Sequence, residues 1–221
     1  LKQTKYYTIL LIWSITFVLV CVPTSGKLVD IYGVPLSISI FYFPFVYIIS
    51  DLLTEVYGYS AARKVIWCSV FTQLFAIIVF QIVAFAPPSI IFQDNEAYKT
   101  VLTATPQIVF FGTIAMFLGD ITNNYVLAKM KIITKGRGLS TRFVVSTLAG
   151  EIVNTAFFYT FGLWGILSKE FLFVSILVAS FAKVAVEIVM LPFSIKITNW
   201  LKKEEELDYF DESTDFNPFK F

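Results

Sequence analysis

Three ionisable residues lie inside strongly apolar stretches of this chain, each with a polar companion about one helical turn away. Asp120 precedes Asn123, Glu151 precedes Asn154, and Lys183 precedes Glu187. Residues three and four apart share a helix face. Asp120, Asn123 and Asn124 therefore cluster on one side of their helix, Glu151, Asn154, Thr155 and Phe158 on another, and Lys183 with Glu187 on a third. Tyr47, Asp51, Glu55 and Tyr59 make a fourth stripe. A charge in hydrocarbon costs several kcal/mol unless it faces the protein interior or a wet cavity. Convergent stripes would thus enclose a room of acids, amides, one ammonium and aromatic rings. Carboxylates with amides suit an oxygen-seeking cation such as Mg²⁺ or Ca²⁺. They equally suit a flat heteroaromatic, because a carboxylate offers two in-plane acceptors to a guanine-like edge while aromatic faces stack. The residue types leave both open. Blander readings stand beside these: Lys183 and Glu187 as a self-neutralising pair, Asp51 and Glu55 as a solvated helix end, and the rings as packing.

The elements that must position these groups are membrane helices. Of 221 residues, 57% are hydrophobic and only 15% charged, against about 25% charged in soluble domains. Six apolar segments stand out, at about 6–22, 34–53, 65–86, 107–128, 143–163 and 171–200. Each approaches the ~20 residues that cross a bilayer as a helix, and none alternates as a barrel strand does. An all-α membrane protein of six transmembrane helices is expected, with residues 204–221 as an acidic tail. Segment 6–22 is read as a retained first helix rather than a cleaved signal, since no A-x-A-like exit follows; a chain opening on Leu1 is expected to lack its true start. Thirteen Lys and Arg fall at the amino end, the second and fourth connections and the carboxyl end, against Lys27, Lys99 and Lys169 opposite. The positive-inside rule then puts both termini in the cytoplasm. A short interfacial helix is expected around residues 94–103. Pro44 and Pro192, inside the second and sixth segments, would free the carbonyls of Ile40 and Ile188. The tail's charge run reads as a solvated end, though Tyr209, Phe210, Phe216 and Phe219 exceed what such an end needs and permit docking onto the bundle.

The chain has no His, which removes imidazole metal sites, Ser-His-Asp triads and His proton shuttles. Cys21 and Cys68 read as free thiols. No cofactor or resident metal is expected. A net charge of +1 gives no reason to bind nucleic acid.

The run Phe43-Pro44-x-x-Tyr47-x-x-x-Asp51-Leu52-Leu53-Thr54-Glu55-Val56-Tyr57-Gly58-Tyr59, continuing to Ala62-Arg63-Lys64-Val65-Ile66-Trp67, resembles the signature of the queuosine precursor transporter family. These are vitamin-uptake-transporter-like, six-span bacterial membrane proteins. The "EAY…TP" pattern within residues 93–106, the run Ser146-Thr147-x-x-Gly150-Glu151-x-x-Asn154-Thr155 and the tail Asp215-Phe216-Asn217-Pro218-Phe219 are also similar. The resemblance implies import of 7-deazaguanine bases (preQ0, preQ1 or queuine) across the bacterial cytoplasmic membrane, for tRNA modification, by a protein that is not an enzyme. It implies a bundle like the substrate-binding subunits of energy-coupling-factor transporters. Those dock through small residues in span one; segment 6–22 has no small-xxx-small series, so no obligatory energy-coupling subunit is expected, and a homodimer is left open. Family members often carry Asp where this chain has Asn154.

On this reading Glu151 meets the N1–H and amino edge of the base. Asp120 is the other acid able to supply that acceptor pair, Asn154 and Asn123 complete the polar rim with Asn124 beside them, and Phe43, Tyr47, Trp67 and Phe158 are the stacking candidates. Lys183 and Glu187 form a gate or proton-linked pair. Asp51 and Glu55 lie near the cytoplasmic mouth, within reach of Arg63 or Arg142. The alternatives are a cation or other small-molecule secondary transporter using the same acids, and an intramembrane aspartyl protease around Asp120, whose Phe117-Leu118-Gly119-Asp120 lacks the first Gly of GxGD. Single cysteines introduced across residues 130–141 should react with membrane-impermeant reagents only from the cytoplasmic side. Labelling from outside would invert the topology.

Overall fold

A computed structural model describes residues 4–24, 27–103 and 106–220. It is predominantly helical, because an apolar run can satisfy its backbone only by pairing within itself. Helix α1 is Tyr7–Thr24, α2 Pro44–Tyr57, α3 Tyr59–Phe85, α4 Asn95–Leu102, α5 Pro106–Ile133, α6 Leu139–Phe157 and α7 Lys169–Glu205. A hairpin of β1 (Leu28–Ile31) and β2 (Val34–Ser37) precedes α2, and a short π-helical turn, Phe158–Gly162, extends α6. Among the described residues, three helical stretches, those of α3, α5 and α7, are long and apolar enough to cross a membrane. The chain is a helical membrane protein. A short helix does occur where one was expected around 94–103: it is α4.

The second apolar segment is not one helix. Its first ten residues form β2, a short 3-10 turn (Ile38–Phe41) and a two-residue link, and α2 begins only at Pro44. Pro44 therefore sits at the first helical position, where a missing N–H costs nothing, and does not break a helix at Ile40. The hairpin turns on Tyr32 and Gly33, both with positive φ (51° and 79°), the geometry of a tight hairpin turn whose twist matches its strands. Ser175 Oγ donates to the Pro35 carbonyl at 3.1 Å and ties the hairpin to α7.

Helix α2 is the axis of the bundle. Its residues are buried almost throughout, including Ser50, Asp51, Thr54 and Glu55. Fourteen residues at ~1.5 Å each reach only ~21 Å, so α2 is too short to span the ~30 Å hydrocarbon core alone. It ends at Gly58, whose φ of 87° turns the chain into α3.

Helices α5 and α6 meet through two glycines. A Cβ built on Gly150 would lie 2.8 Å from Asn123 Cβ, 2.8 Å from the Gly119 carbonyl and 2.9 Å from the Tyr47 ring. One built on Gly119 would strike the Tyr47 hydroxyl and approach Asn154 Cβ to 2.7 Å. The similar sequences Gly119-Asp120-x-x-Asn123 and Gly150-Glu151-x-x-Asn154 thus face each other, each Gly seated against the other helix's Asn, with Tyr47 wedged over the crossing.

The tail docks onto the bundle. Asp211 accepts from the Tyr59 N–H through both carboxylate oxygens, at 3.2 and 3.0 Å, capping α3 from 152 positions away. Arg63 donates to the carbonyls of Asp215 (2.8 Å) and Asn217 (2.6 Å), and Trp67 Nε1 to that of Pro218 (2.8 Å). Phe216 lies against Tyr59 and beneath the Lys129 ammonium. Glu205 at the end of α7 likewise accepts from the Lys5 and Tyr6 N–H groups (3.2 and 2.7 Å), so the start of α1 and the end of α7 meet at one end of the bundle. The solvated-end reading of the tail gives way to the docked one.

Replacing Gly150 or Gly119 by Ala should destabilise the protein by about 1–3 kcal/mol through overpacking. Gly112→Ala should be nearly silent, since its nearest neighbour is a Phe158 ring atom at 3.4 Å. Thermal unfolding in detergent checks the contrast, and equal melting points for the three variants would contradict the crossing.

Candidate functional site

The polar side chains form three layers along the bundle. In the first, at the end shared by both termini, Glu55 is fully buried and sits in a ring of cations. Arg142 holds it with a forked pair of bonds, 2.5 Å to Oε2 and 3.0 Å to Oε1. Lys202 reaches Oε1 at 2.6 Å. Lys131 donates to the Glu55 carbonyl at 2.6 Å and to Asp208 of the tail at 2.5 Å. Partial burial raises the Asp208 carboxyl, but bonds and charge from Lys131 and Lys202 outweigh it and hold the group below the ordinary carboxylate range. The forked Arg–carboxylate geometry is the strong form of this contact, and it ties α2, α5, α6, α7 and the tail together.

In the second layer, Asn123 Nδ2 donates to Asp51 at 2.7 Å and Ser50 Oγ to Asn124 Oδ1 at 2.8 Å. Tyr47, Asp51, Asp120, Asn123 and Asn124 are all buried. Tyr47 Oη, Asp120 Oδ1, Asn123 Oδ1 and Asn124 Nδ2 have no hydrogen-bond partner among the described residues.

The third layer centres on Lys183. Its ammonium meets Glu151 Oε2 at 2.9 Å, Thr155 Oγ1 at 3.2 Å and Asn154 Oδ1 at 3.4 Å. It also lies 4.5 Å from the centre of the Phe43 ring, a cation–π distance. Beside it opens a cavity of about 50 Å³, enough for a few waters. Asn154, Lys183, Gln73 and Ser39 form its polar rim, and Phe43, Phe158 and Met116 are among its apolar walls. Phe158 opens the π-helical turn, where Leu163 N–H reaches back five residues to the Phe158 carbonyl at 3.2 Å; such turns recur at functional sites.

Of the expected site residues, Asn154, Phe43, Phe158 and Lys183 line the cavity. Glu151 stands behind Lys183, and Tyr47, Asp51, Asp120, Asn123 and Asn124 lie in the layer beneath. Lys183 makes no ion pair with Glu187, four residues on along its own helix; it crosses to Glu151 instead, where Thr155 and Asn154 supply further acceptors. Glu187 is buried but is not that partner. Glu55 meets Arg142, while Arg63, the other cation considered, holds the tail. Trp67 packs with Phe117 and Phe219 and bonds to the tail, so it does not stack in this cavity. Sequence reasoning passed over Gln73 and Ser39. Gln73, one of two amides in a largely apolar helix, carried a signal; Ser39 carried none.

Comparison with known proteins gives two matches. A family model described as "Putative vitamin uptake transporter" matches residues 37–197. A curated protein of Bacillus subtilis (strain 168), named "Probable queuosine precursor transporter", is 24% identical over 199 residues, covering 89% of this chain and 86% of that protein. No solved structure matches.

A double-mutant cycle tests the cross-helix pair. Lys183→Met and Glu151→Gln should each destabilise by about 3–5 kcal/mol, the usual effect of stranding one buried charge. The double variant should lose clearly less than their sum, while Lys183→Met with Glu187→Gln should be additive. Additivity with Glu151 would dissolve the pair.

Proposed function

The chain belongs to the putative vitamin uptake transporter family, and from that membership we propose that it imports 7-deazaguanine queuosine precursors (preQ0, preQ1 or queuine) across the bacterial cytoplasmic membrane. The observation that carries this reading is the cavity itself: a buried ammonium and two carboxamides between the Phe43 and Phe158 rings, inside a membrane bundle. A planar base needs this combination. Its ring N3 accepts from Lys183, the neighbouring ring N–H donates to Asn154 Oδ1, and its faces rest on the rings. Glu151, with Thr155, aims the ammonium rather than touching the base. The name of the Bacillus relative points to the same substrates.

We read six crossings with both termini cytoplasmic and an arrangement like the energy-coupling-factor substrate-binding subunits. The meeting of the α1 start and the α7 end at one end of the bundle supports an even number. The remaining crossings fall to α1, to α6 with its π turn, and to the hairpin with α2. A cavity of about 50 Å³ must widen to admit a base. Its least regular walls, the π turn and the link before α2, are where it gives. A cation as cargo is disfavoured by the ammonium on the rim, and family membership speaks for transport rather than proteolysis.

Purified protein should melt higher with a 7-deazaguanine present and not with Mg²⁺ or a peptide. Binding at a hundred times Kd adds about 2.7 kcal/mol. Cells lacking their own importer should take up the base when this chain is expressed. Protection by Mg²⁺ alone, or no uptake of any of the three bases, would overturn the reading.

A further inference from the structure

We infer that Gln73 reads the base edge and sets substrate specificity, opposite Asn154 and Lys183. This rests on the transport reading of the same cavity. Gln73 lies on α3, whose neighbouring residues from Val70 to Val83 are apolar apart from Thr72 and Gln81. Its side chain is only 6% exposed, and it turns into the bundle rather than outward. Its Oε1 has no hydrogen-bond partner among the described residues. Ser69, one turn earlier on the same face, is also buried with an unpartnered hydroxyl. A buried amide oxygen without a partner costs free energy that an aliphatic side chain of the same size would not. Packing alone therefore gives no reason for a carboxamide here.

The cavity gives one. Gln73 is the polar group on the α3 wall, while Asn154 and Lys183 come from α6 and α7 across the space. A ligand between them is held from two sides. A carboxamide presents one acceptor and two donors in a plane, the complement of a ring carbonyl beside an N–H. A site built to hydrogen-bond such an edge rejects analogues that lack it far more strongly than shape alone allows. The α3 wall thus separates bases carrying a carbonyl and N–H edge from bases of the same outline without one.

The test compares binding of preQ0 with binding of a 7-deazapurine bearing no ring carbonyl or amino group, to wild type and to Gln73→Met. The variant should melt no lower than wild type. Its Kd for preQ0 should rise about tenfold, the loss of one hydrogen bond, while its Kd for the unsubstituted ring stays put. An unchanged Kd for preQ0, or equal weakening for both ligands, overturns the role of Gln73 while leaving transport intact. If wild type itself binds neither ligand, the transport reading fails and this role falls with it. Should Gln73→Met not fold, the isosteric Gln73→Glu takes its place: a changed ratio of the two affinities supports edge reading, and an unchanged ratio overturns it.

Discussion

The close approach of Gly119 to Gly150 sets the geometry of everything inside the bundle. Helices in a membrane gain little from hydrophobic contact, because lipid tails are as apolar as the side chains they would displace. Small residues let backbones close, and the closure then fixes what stands one and four positions further on. Here those positions hold Asp120 and Asn123 on one helix and Glu151 and Asn154 on the other. The same contact seats Tyr47 of the central helix in the groove above it. The crossing thus registers α2, α5 and α6 against one another, and through Glu151 it fixes where the ammonium of α7 ends up.

The distribution of charge follows from that register. Glu55 has three cations around it, Lys183 has one carboxylate and two neutral acceptor oxygens, and Asp51 has an amide. Buried charges of this kind are poor sources of net stability but strong arbiters of arrangement, since stranding one is costly. The two charged layers sit at different depths. The Glu55 knot closes the end of the bundle where the termini meet, and the Lys183 layer borders the cavity. The tail supplies part of the knot's bonding through Asp208, which meets both Lys131 and Lys202.

Much of this was legible in the sequence. Apolar length located the helices, and three-and-four spacing found the polar stripes, because both depend only on local periodicity. The convergence of Asp120, Asn123, Glu151 and Asn154 followed from the expense of charge in hydrocarbon. What stayed hidden depends on contacts between elements. Lys183 has an acid one turn away, and nothing in the spacing says that the acid on the next helix wins. The hairpin at Tyr32 and Gly33 was concealed because apolarity does not distinguish a strand from a helix over so short a run, though Gly33 and Pro35 marked the place. Trp67 was grouped with the stacking rings by type alone, and only the docked tail reveals its true neighbour.

That docked tail carries a temporal consequence. The first N–H groups of α1 and α3 are completed by Glu205 and Asp211, residues that leave the ribosome 199 and 152 positions after the donors they serve. Until those two residues have been made, those helix beginnings have only water or the biosynthetic machinery to bond with. A nascent chain that has not yet reached them leaves both helix starts frayed, and leaves Lys131 and Lys202 with Glu55 but without the Asp208 carboxylate, so this end of the bundle closes only after α7 has been made.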